Sequence, residues 1–338
     1  ECPQKRQCFK GKADIIIGKT IMGKGLLDKD GNSFEGKTST HGMPVSEAGG
    51  SYEKSLANLG ADPADPFKVF DDVKEYYKVV LAEKRKTAAA WKKRKDEWAA
   101  SNPALDKKLA SFYSGAIPAI DFKAIQQKEG SATRAASAAV LGVLAKNIEN
   151  MVVASADLSN SDKTDGFLKN TKAFKKGDFS GAFLQMGVAE LTMASVMNGM
   201  ALHGGVIPAC GTFFVFSDYM KPAVRLACLM GLPVIYIWTH DAFRVGEDGP
   251  THQPVEQEAQ IRLMEHLKNH HGRNSMVVLR PSDALETSVA WKMALENRKT
   301  PTALILSRQN IKDLPSQSGD RYNDALQAEK GAYIVADS

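Results

Sequence analysis

The stretch KPAVRLACLMGLPVIYIWTHD, residues 221–241, decides the fold. Its composition and spacing predict a helix over 221–230 that ends at Gly231, and the apolar run 233–238 predicts a buried strand. Three polar residues, at 239–241, follow as soon as the strand ends. A helix, a short turn and a buried strand in this order are typical of a parallel sheet with helices between its strands.

The same alternation extends in both directions from this stretch. The other predicted elements are helices over 133–150, 189–202, 255–268 and 284–297, strands over 151–155, 275–279 and 302–306, and a short apolar segment over 209–215. Alternating strands and helices at this spacing predict an α/β fold, a doubly wound and mostly parallel sheet with helices on both faces.

Residues before 131 follow a less regular pattern. Residues 13–17 are rich in β-forming side chains and predict a strand, which is followed by a turn that contains several glycines. Residues 26–50 indicate an irregular surface segment. A long helix is predicted over 66–100, stopped by Ser101-Asn102-Pro103.

The composition is that of a globular protein. Of the 338 residues, 43% are hydrophobic and 25% are charged, which is ordinary for a folded domain. The longest apolar stretch, 226–238, is interrupted by Gly231 and Pro233 and is too short to span a membrane. The start, ECPQKRQCFKGK, has no apolar segment after its charges and no initiating methionine. We therefore expect no secretory leader and no membrane contact, and we expect a piece excised from a longer chain.

The cysteines suggest a cellular compartment, and the basic residues suggest a charged surface. Cys2, Cys8, Cys210 and Cys228 show no metal-ligand spacing, so reduced thiols in a cytoplasmic protein are expected, with a disulfide framework as the alternative. The net charge is +5, and the run KRKTAAAWKKRK at 84–95 holds seven basic side chains and no acid. A solvated helix face is the interpretation preferred over a nucleic-acid or phosphate patch.

Polar residues follow four of the predicted strands where each strand ends. Asp157, His240 with Asp241, Arg280, and Arg308 occupy these positions. Because ligands of such sheets bind beyond the carboxyl ends of the strands, we expect these side chains to converge on one edge.

The loop THDAFRVGEDGPTHQPVEQ at 239–257 is the most polar of these segments. Two histidines and three carboxylates lie within the thirteen residues 240–252. They could transfer protons or bind a polyol, and a polar surface loop is the alternative. A metal site is a further possibility, but no pair of ligands has a close helical spacing.

Three further features each have a structural and a functional interpretation. The guanidinium of Arg308 suits a carboxylate or phosphate, or a surface ion pair. Glu190 begins an apolar helix, where its carboxylate is stabilised by the helix dipole or shares a proton with a ring nitrogen. The aromatic set forms core or a stacking slot for a flat heterocycle, and its members are Phe213, Phe214, Phe216 and Tyr219.

Together these segments resemble the pyrimidine-binding domain of transketolase, a thiamine diphosphate-dependent family. The matching pieces are SADLSNS (155–161), GVAELTMASVMNGMALHGG (187–205), the run 211–257 that contains GEDGPTHQP, and LSRQN (306–310). The resemblance covers about 130 to 312, and IIIGKTIMGKG (15–25) and HGMP (41–44) extend it more weakly towards the start. It implies transfer of a two-carbon ketol unit between sugar phosphates, in carbohydrate metabolism of the pentose phosphate type.

The resemblance also implies roles for individual residues. Glu190 would hydrogen-bond the pyrimidine ring nitrogen of thiamine diphosphate and promote loss of the thiazolium C2 proton. The other implied cofactor contacts are Asp157, Leu158, Phe213, Phe216 and Tyr219. His240, Asp248 and His252 would contact the sugar, with the histidines assisting proton transfer. Arg134, Ser161, His240 and Arg308 would bind the sugar phosphate, and His41 would lie near the diphosphate and the reacting carbon.

The chain departs from the family pattern at several positions. Leu191 stands where a histidine usually follows the glutamate, and Phe243-Arg244 stands where smaller residues are common. The family's Gly-Asp-Gly motif is absent, so the resemblance implies that Mg²⁺ or Ca²⁺ is bound through an absent N-terminal region, and no metal ligand is assigned here.

The resemblance implies an organisation as well. We expect 1–60 to end a diphosphate-binding domain, 61–128 to be a helical linker region, 129–312 to be the pyrimidine-binding domain, and 313–338 to lead towards an absent C-terminal domain. The complete enzyme is expected to be a homodimer, and this fragment alone inactive. A related thiamine-dependent synthase of the deoxyxylulose or dihydroxyacetone type is one alternative. The non-catalytic half of a split enzyme is the other.

Overall fold

A six-stranded sheet forms the centre of the larger of two units in the computed structural model, which describes residues 17–336. The first unit ends at Trp98 and the second begins at Ala99. The predicted strand residues 13–16 and both Cys2 and Cys8 lie outside the described residues.

The first unit has little regular structure before its long helix. Strands β1 (Leu27–Asp28) and β2 (Gly50–Ser51) pair antiparallel, and helix α1 (Tyr52–Asn58) follows. Helix α2 (Asp71–Ser101) begins here and has no buried residue. It starts later than residue 66 because a turn, in which Lys68 N–H donates to Asp65 O, occupies the chain first. The basic run 84–95 is solvent-exposed on α2.

The second unit alternates helices and strands. Its helices are α3 (Pro103–Tyr113), α4 (Thr133–Asn147), α5 (Ser159–Asp162), α6 (Asp165–Leu168), α7 (Glu190–His203), α8 (Ser217–Met230), α9 (Gln257–His266), α10 (Ala284–Glu296) and α11 (Arg321–Ala325). Its strands are β3 (Met151–Ser155), β4 (Phe183–Gln185), β5 (Ile207–Phe213), β6 (Ile235–Thr239), β7 (Val277–Leu279) and β8 (Thr302–Ile305).

The six strands lie in the order β4-β3-β5-β6-β8-β7, and every neighbouring pair is parallel. This confirms the doubly wound α/β fold. All five residues of β6 are buried, because helices cover both faces of a parallel sheet.

Side chains of β6 alternate between two hydrophobic cores. Ile235 and Ile237 join the core on the face covered by α4 and α10, whereas Tyr236 and Trp238 join the core on the face of α7 and α8. This alternation is the period of two that an extended chain imposes. It leaves only the strand ends free to present polar groups.

Helix α6 approaches α4 closely at Gly166. A Cβ at this position would lie 2.3 Å from the backbone oxygen of Ala138. Only glycine allows the two backbones to come this near, and the contact fixes the segment between β3 and β4 against the core.

Candidate active site

The carboxyl edge of the sheet carries backbone strain as well as polar residues. Asp157, His240, Ala242 and Arg244 have φ values of 67°, 62°, 70° and 53°, in the left-handed region that non-glycine residues rarely adopt. Each lies just after β3 or β6. Such residues persist where the surrounding structure holds them, and they concentrate at functional sites.

His240 lies at the centre of this edge and is 2% exposed. Its Nδ1 is 2.8 Å from Thr239 Oγ1, and its Nε2 is 3.5 Å from a guanidinium nitrogen of Arg134. Because a guanidinium only donates, Nε2 accepts and Nδ1 carries the proton. Burial first, and then the positive charges of Arg134 and Arg308, lower the pKa of His240 to about 3. The imidazole is therefore neutral at physiological pH.

Arg134 connects three segments of the edge. It is the second residue of α4, and its guanidinium donates to Ser161 O at 2.7 Å as well as facing His240. The residue before it, Thr133, exchanges hydrogen bonds of 2.7 and 3.0 Å with Ser307, which fixes the start of α4 to the end of β8. Burial and the neighbouring Arg308 lower the pKa of Arg134, so an anion here would relieve an unfavourable charge.

Arg308 faces the loop after β6. Its guanidinium pairs with Glu247, and its Nε lies 3.6 Å from Asp248 Oδ2. Asp248 Oδ2 is in turn 4.0 Å from His240 Nε2. A cavity of about 430 Å³ opens beside these groups, lined by Arg134, Arg244, Arg308, Gln309 and Asn310. Its lining is suited to an anionic group.

Aromatic rings form a stack next to His240. Phe213 stacks on the imidazole with ring centres 3.6 Å apart, and Phe216 lies 5.7 Å from Phe213 and 6.0 Å from Tyr219. Tyr219 is 61% exposed, so the stack runs from the buried edge out to solvent. Phe214 is different, because it is buried in the core against Trp238.

Glu190 is the first residue of α7 and is 6% exposed. Thr212 Oγ1, on β5 one residue before Phe213, donates to its Oε1 at 3.3 Å. Within residues 17–336 the structure records no other side-chain donor to this carboxylate, so Oε2 is left as an acceptor. A buried carboxylate with a spare acceptor beside a run of aromatic rings fits a flat heterocycle that carries a ring N–H.

The segment after β3 is held by a buried carboxylate that the sequence pattern does not single out. Asp162 accepts from Ser155 Oγ at 2.7 Å and from both the backbone and hydroxyl of Thr164, and burial raises its pKa. Ser155 Oγ also accepts from Leu158 N–H at 3.2 Å. These hydrogen bonds fix the turn that carries the exposed Asp157, and they place the carbonyl of Ser161 beside Arg134.

Asp241 and Arg280 bind each other. Arg280 Nε lies 3.1 Å from Asp241 Oδ2, and its NH1 lies 2.6 Å from Glu258. Asp241 Oδ1 also accepts from Phe243 N–H. These two predicted edge residues therefore anchor the loop after β6 to the end of β7.

His252 reaches the aromatic stack from the far end of the loop. Its ring lies 6.1 Å from Phe213 and 5.3 Å from Phe216, edge to face in both cases.

His41 belongs to the first unit, where its side chain is exposed and its N–H donates to Thr38 O. In the part of the chain that the structure describes, no group of three His, Cys, Asp or Glu side chains could hold a metal ion. No helix of that part is long and apolar enough to cross a membrane.

Comparison with known proteins identifies the family. Residues 129–313 match the pyrimidine binding domain of transketolase. The chain belongs to the transketolase family. Residues 3–118 also match the thiamine diphosphate binding domain of transketolase, which supports thiamine diphosphate as the cofactor.

Individual transketolases agree with this assignment over nearly the whole chain. The transketolase of Bacillus subtilis is 40% identical over 340 residues, which cover 99% of this chain and 48% of the relative. The transketolase of Halalkalibacterium halodurans is 39% identical and is covered to 47%, with 97% of this chain aligned. The chain therefore spans about half the length of the curated relatives it matches.

Solved transketolase structures share the fold. That of Leishmania mexicana gives a TM-score of 0.77 at 34% identity, with 94% of this chain and 44% of the other covered. A Pichia stipitis transketolase in complex with sedoheptulose-7-phosphate gives 0.75 at 30% identity, with 94% and 45% covered.

Proposed function

We propose that this chain is part of a transketolase that transfers a two-carbon ketol unit between sugar phosphates through thiamine diphosphate. The observation that carries the proposal is the shared edge of the sheet, where an aromatic stack meets a neutral histidine and a cavity lined by guanidinium groups. A heterocyclic cofactor and a phosphorylated sugar would each find suitable partners there.

Glu190 and the aromatic stack would hold the aminopyrimidine of the cofactor. Glu190 Oε2 would accept a hydrogen bond from a pyrimidine ring nitrogen and keep the proton there, while Thr212 holds Oε1. Phe213, Phe216 and Tyr219 would line the pocket, and Asp157 and Leu158 would approach the cofactor. When bound, thiamine diphosphate supplies a nucleophilic carbon and an electron sink for the ketol carbons.

The groups around His240 would bind the sugar. Its Nδ1 proton is directed to Thr239, so the neutral Nε2 would accept a hydrogen bond from a substrate hydroxyl. Asp248 and His252 would contact the other hydroxyls, and His252 would assist proton transfer. Arg134, Ser161 and Arg308 would bind the phosphate together with His240, since guanidinium groups match phosphate oxygens in charge and geometry.

Other features of the complete enzyme belong to the same proposal. His41 would approach the diphosphate and the reacting carbon, and the divalent cation, Mg²⁺ or Ca²⁺, would be held outside the described residues. We also propose a homodimer with no nucleic-acid partner, located in the cytoplasm. Among the described residues, Cys210 and Cys228 are buried and unpaired.

The test is a transfer assay on the full-length protein that contains this chain. With xylulose 5-phosphate as donor and ribose 5-phosphate as acceptor, we expect a seven-carbon ketose phosphate and a three-carbon aldose phosphate, formed only when thiamine diphosphate is present. The 338-residue chain alone is expected to form neither.

Three results would contradict the proposal in different ways. Failure of the full-length protein with this pair, but activity with another pair of carbonyl substrates, would indicate a related thiamine-dependent synthase. Transfer by the 338-residue chain alone would refute its dependence on a further part of the protein. A need for a separately encoded chain would indicate a split enzyme.

A further inference from the structure

We propose that Arg244 is a third phosphate-binding guanidinium of this site and selects for phosphorylated substrates. The inference deepens the proposed function and rests on it. The resemblance to transketolase assigns no role to Arg244, so the inference adds a residue to the proposed site.

Arg244 lies in the wall of the cavity next to the proposed sugar site. Arg244 lines the cavity of about 430 Å³ together with Arg134, Arg308, Gln309 and Asn310. Three of these five residues are cationic, and none is a carboxylate. The guanidinium of Arg134 also faces His240, which would contact the sugar, so the cavity lies beside the proposed sugar site.

Carboxylates balance only part of the positive charge around the cavity. Arg308 is paired with Glu247 and approached by Asp248. Within residues 17–336, no carboxylate lies within ion-pair distance of either Arg134 or Arg244. The cavity therefore presents two guanidinium charges that lack a direct carboxylate partner. A phosphate monoester carries about −1.5 to −2 at neutral pH, which matches these two charges.

The loop that carries Arg244 is anchored beside the cavity. Gln309 Nε2 lies 3.2 Å from both Arg244 O and Glu247 Oε1, so the loop is tied to the segment after β8. The Arg244 guanidinium lies 5.0 Å from the centre of the Phe243 ring, a cation–π distance. The side chain is exposed, so it can reach an entering phosphate without displacing packed groups.

The test compares donors with and without phosphate in the full-length holoenzyme. The variants are Arg244→Ala and Arg244→Lys, with Arg273→Ala as a matched control because Arg273 is exposed in the loop before β7, at the opposite edge. Donors are xylulose 5-phosphate and hydroxypyruvate, both with unphosphorylated glycolaldehyde as acceptor.

For Arg244→Ala we expect kcat/KM to fall about tenfold with xylulose 5-phosphate, mainly through KM, and to change less than about twofold with hydroxypyruvate. Arg244→Lys should recover part of the loss, because it keeps the charge and loses the planar fork. Salt should reduce the difference between donors, since the cavity is open to solvent. Arg273→Ala should match the unaltered enzyme with both donors.

An equal loss with both donors, or no loss with either, would overturn the role of Arg244. If the unaltered enzyme transfers from neither donor, the proposed function fails, and binding of inorganic phosphate still tests the site. Equilibrium dialysis of the same proteins should then show about tenfold weaker phosphate binding for Arg244→Ala than for Arg273→Ala. Equal binding would reject the inference.

Discussion

The protonation of His240 makes a prediction about stability. The pKa of this buried histidine is lowered from 6.5 to about 3, first by burial and then by Arg134 and Arg308. The unfolded chain binds a proton near pH 6.5, whereas the folded chain does not until much lower pH. The stability associated with neutral His240 is therefore fully present above pH 6.5 and is lost as the pH falls towards 3.

The size of the effect follows from the same values. A pH of 5 is about 1.5 units below the pKa of histidine in the unfolded chain, and each unit corresponds to about 1.36 kcal/mol. Because of His240, the free energy of unfolding should therefore fall by about 2 kcal/mol between pH 7 and pH 5. The variant His240→Asn removes this titration and retains a residue that tolerates a left-handed backbone.

The measurement is the free energy of unfolding in urea for both proteins at pH 8, 7 and 5. Between pH 7 and pH 5, the free energy of unfolding of the unaltered protein should fall by about 2 kcal/mol more than that of His240→Asn. Between pH 8 and pH 7 the two proteins should change by the same amount. Other titrating groups cancel in this double difference. Parallel losses in the two proteins down to pH 5 would refute the account of a neutral, desolvated imidazole.

Two further predictions concern the scaffold of the site. Arg280→Ala leaves the buried carboxylate of Asp241 without its main partner, so the free energy of unfolding in urea should fall by about 1–3 kcal/mol, and Arg280→Lys should lose less. A loss below about 0.5 kcal/mol would show that the pair does not anchor the loop. Gly166→Ala places a methyl group against Ala138 O and should cost at least about 3 kcal/mol, whereas Gly199→Ala, in open space on α7, should be neutral or stabilise by up to about 1 kcal/mol. Equal melting temperatures for these two variants would contradict the close approach of α4 and α6.

The sequence predicts the strongly patterned elements well and the short ones poorly. Strand β3 has the predicted bounds, 151–155, because an apolar run is framed by residues that do not continue it. Strand β4 (Phe183–Gln185) is not predicted, since three residues carry no readable period and its pairing depends on the free edge of β3. Helix α3 (Pro103–Tyr113) is also missed, although Asn102-Pro103 is a suitable start for a helix.

The location of the site is predictable from the sequence, but the hydrogen bonds between its residues are not. Polar residues at strand ends must share an edge in a parallel sheet, which places Asp157, His240 and Arg308 correctly on that edge. Spacing does not reveal that Arg134 uses the carbonyl of Ser161 or that buried Asp162 supports this segment. Those contacts depend on tertiary packing. The individual catalytic and binding roles, and the domain boundaries at 60, 128 and 312, stay predictions.

The most direct test of the central claim is the rate of ketol transfer by the full-length enzyme with Glu190 replaced. Glu190→Ala removes the carboxylate, and Glu190→Gln keeps its shape and an acceptor for Thr212 but loses the charge. Both should lower kcat by at least about a hundredfold at saturating thiamine diphosphate, with the fold unchanged by circular dichroism. A rate within about twofold of the unaltered enzyme for both variants would contradict the assignment of this sheet edge as the thiamine site.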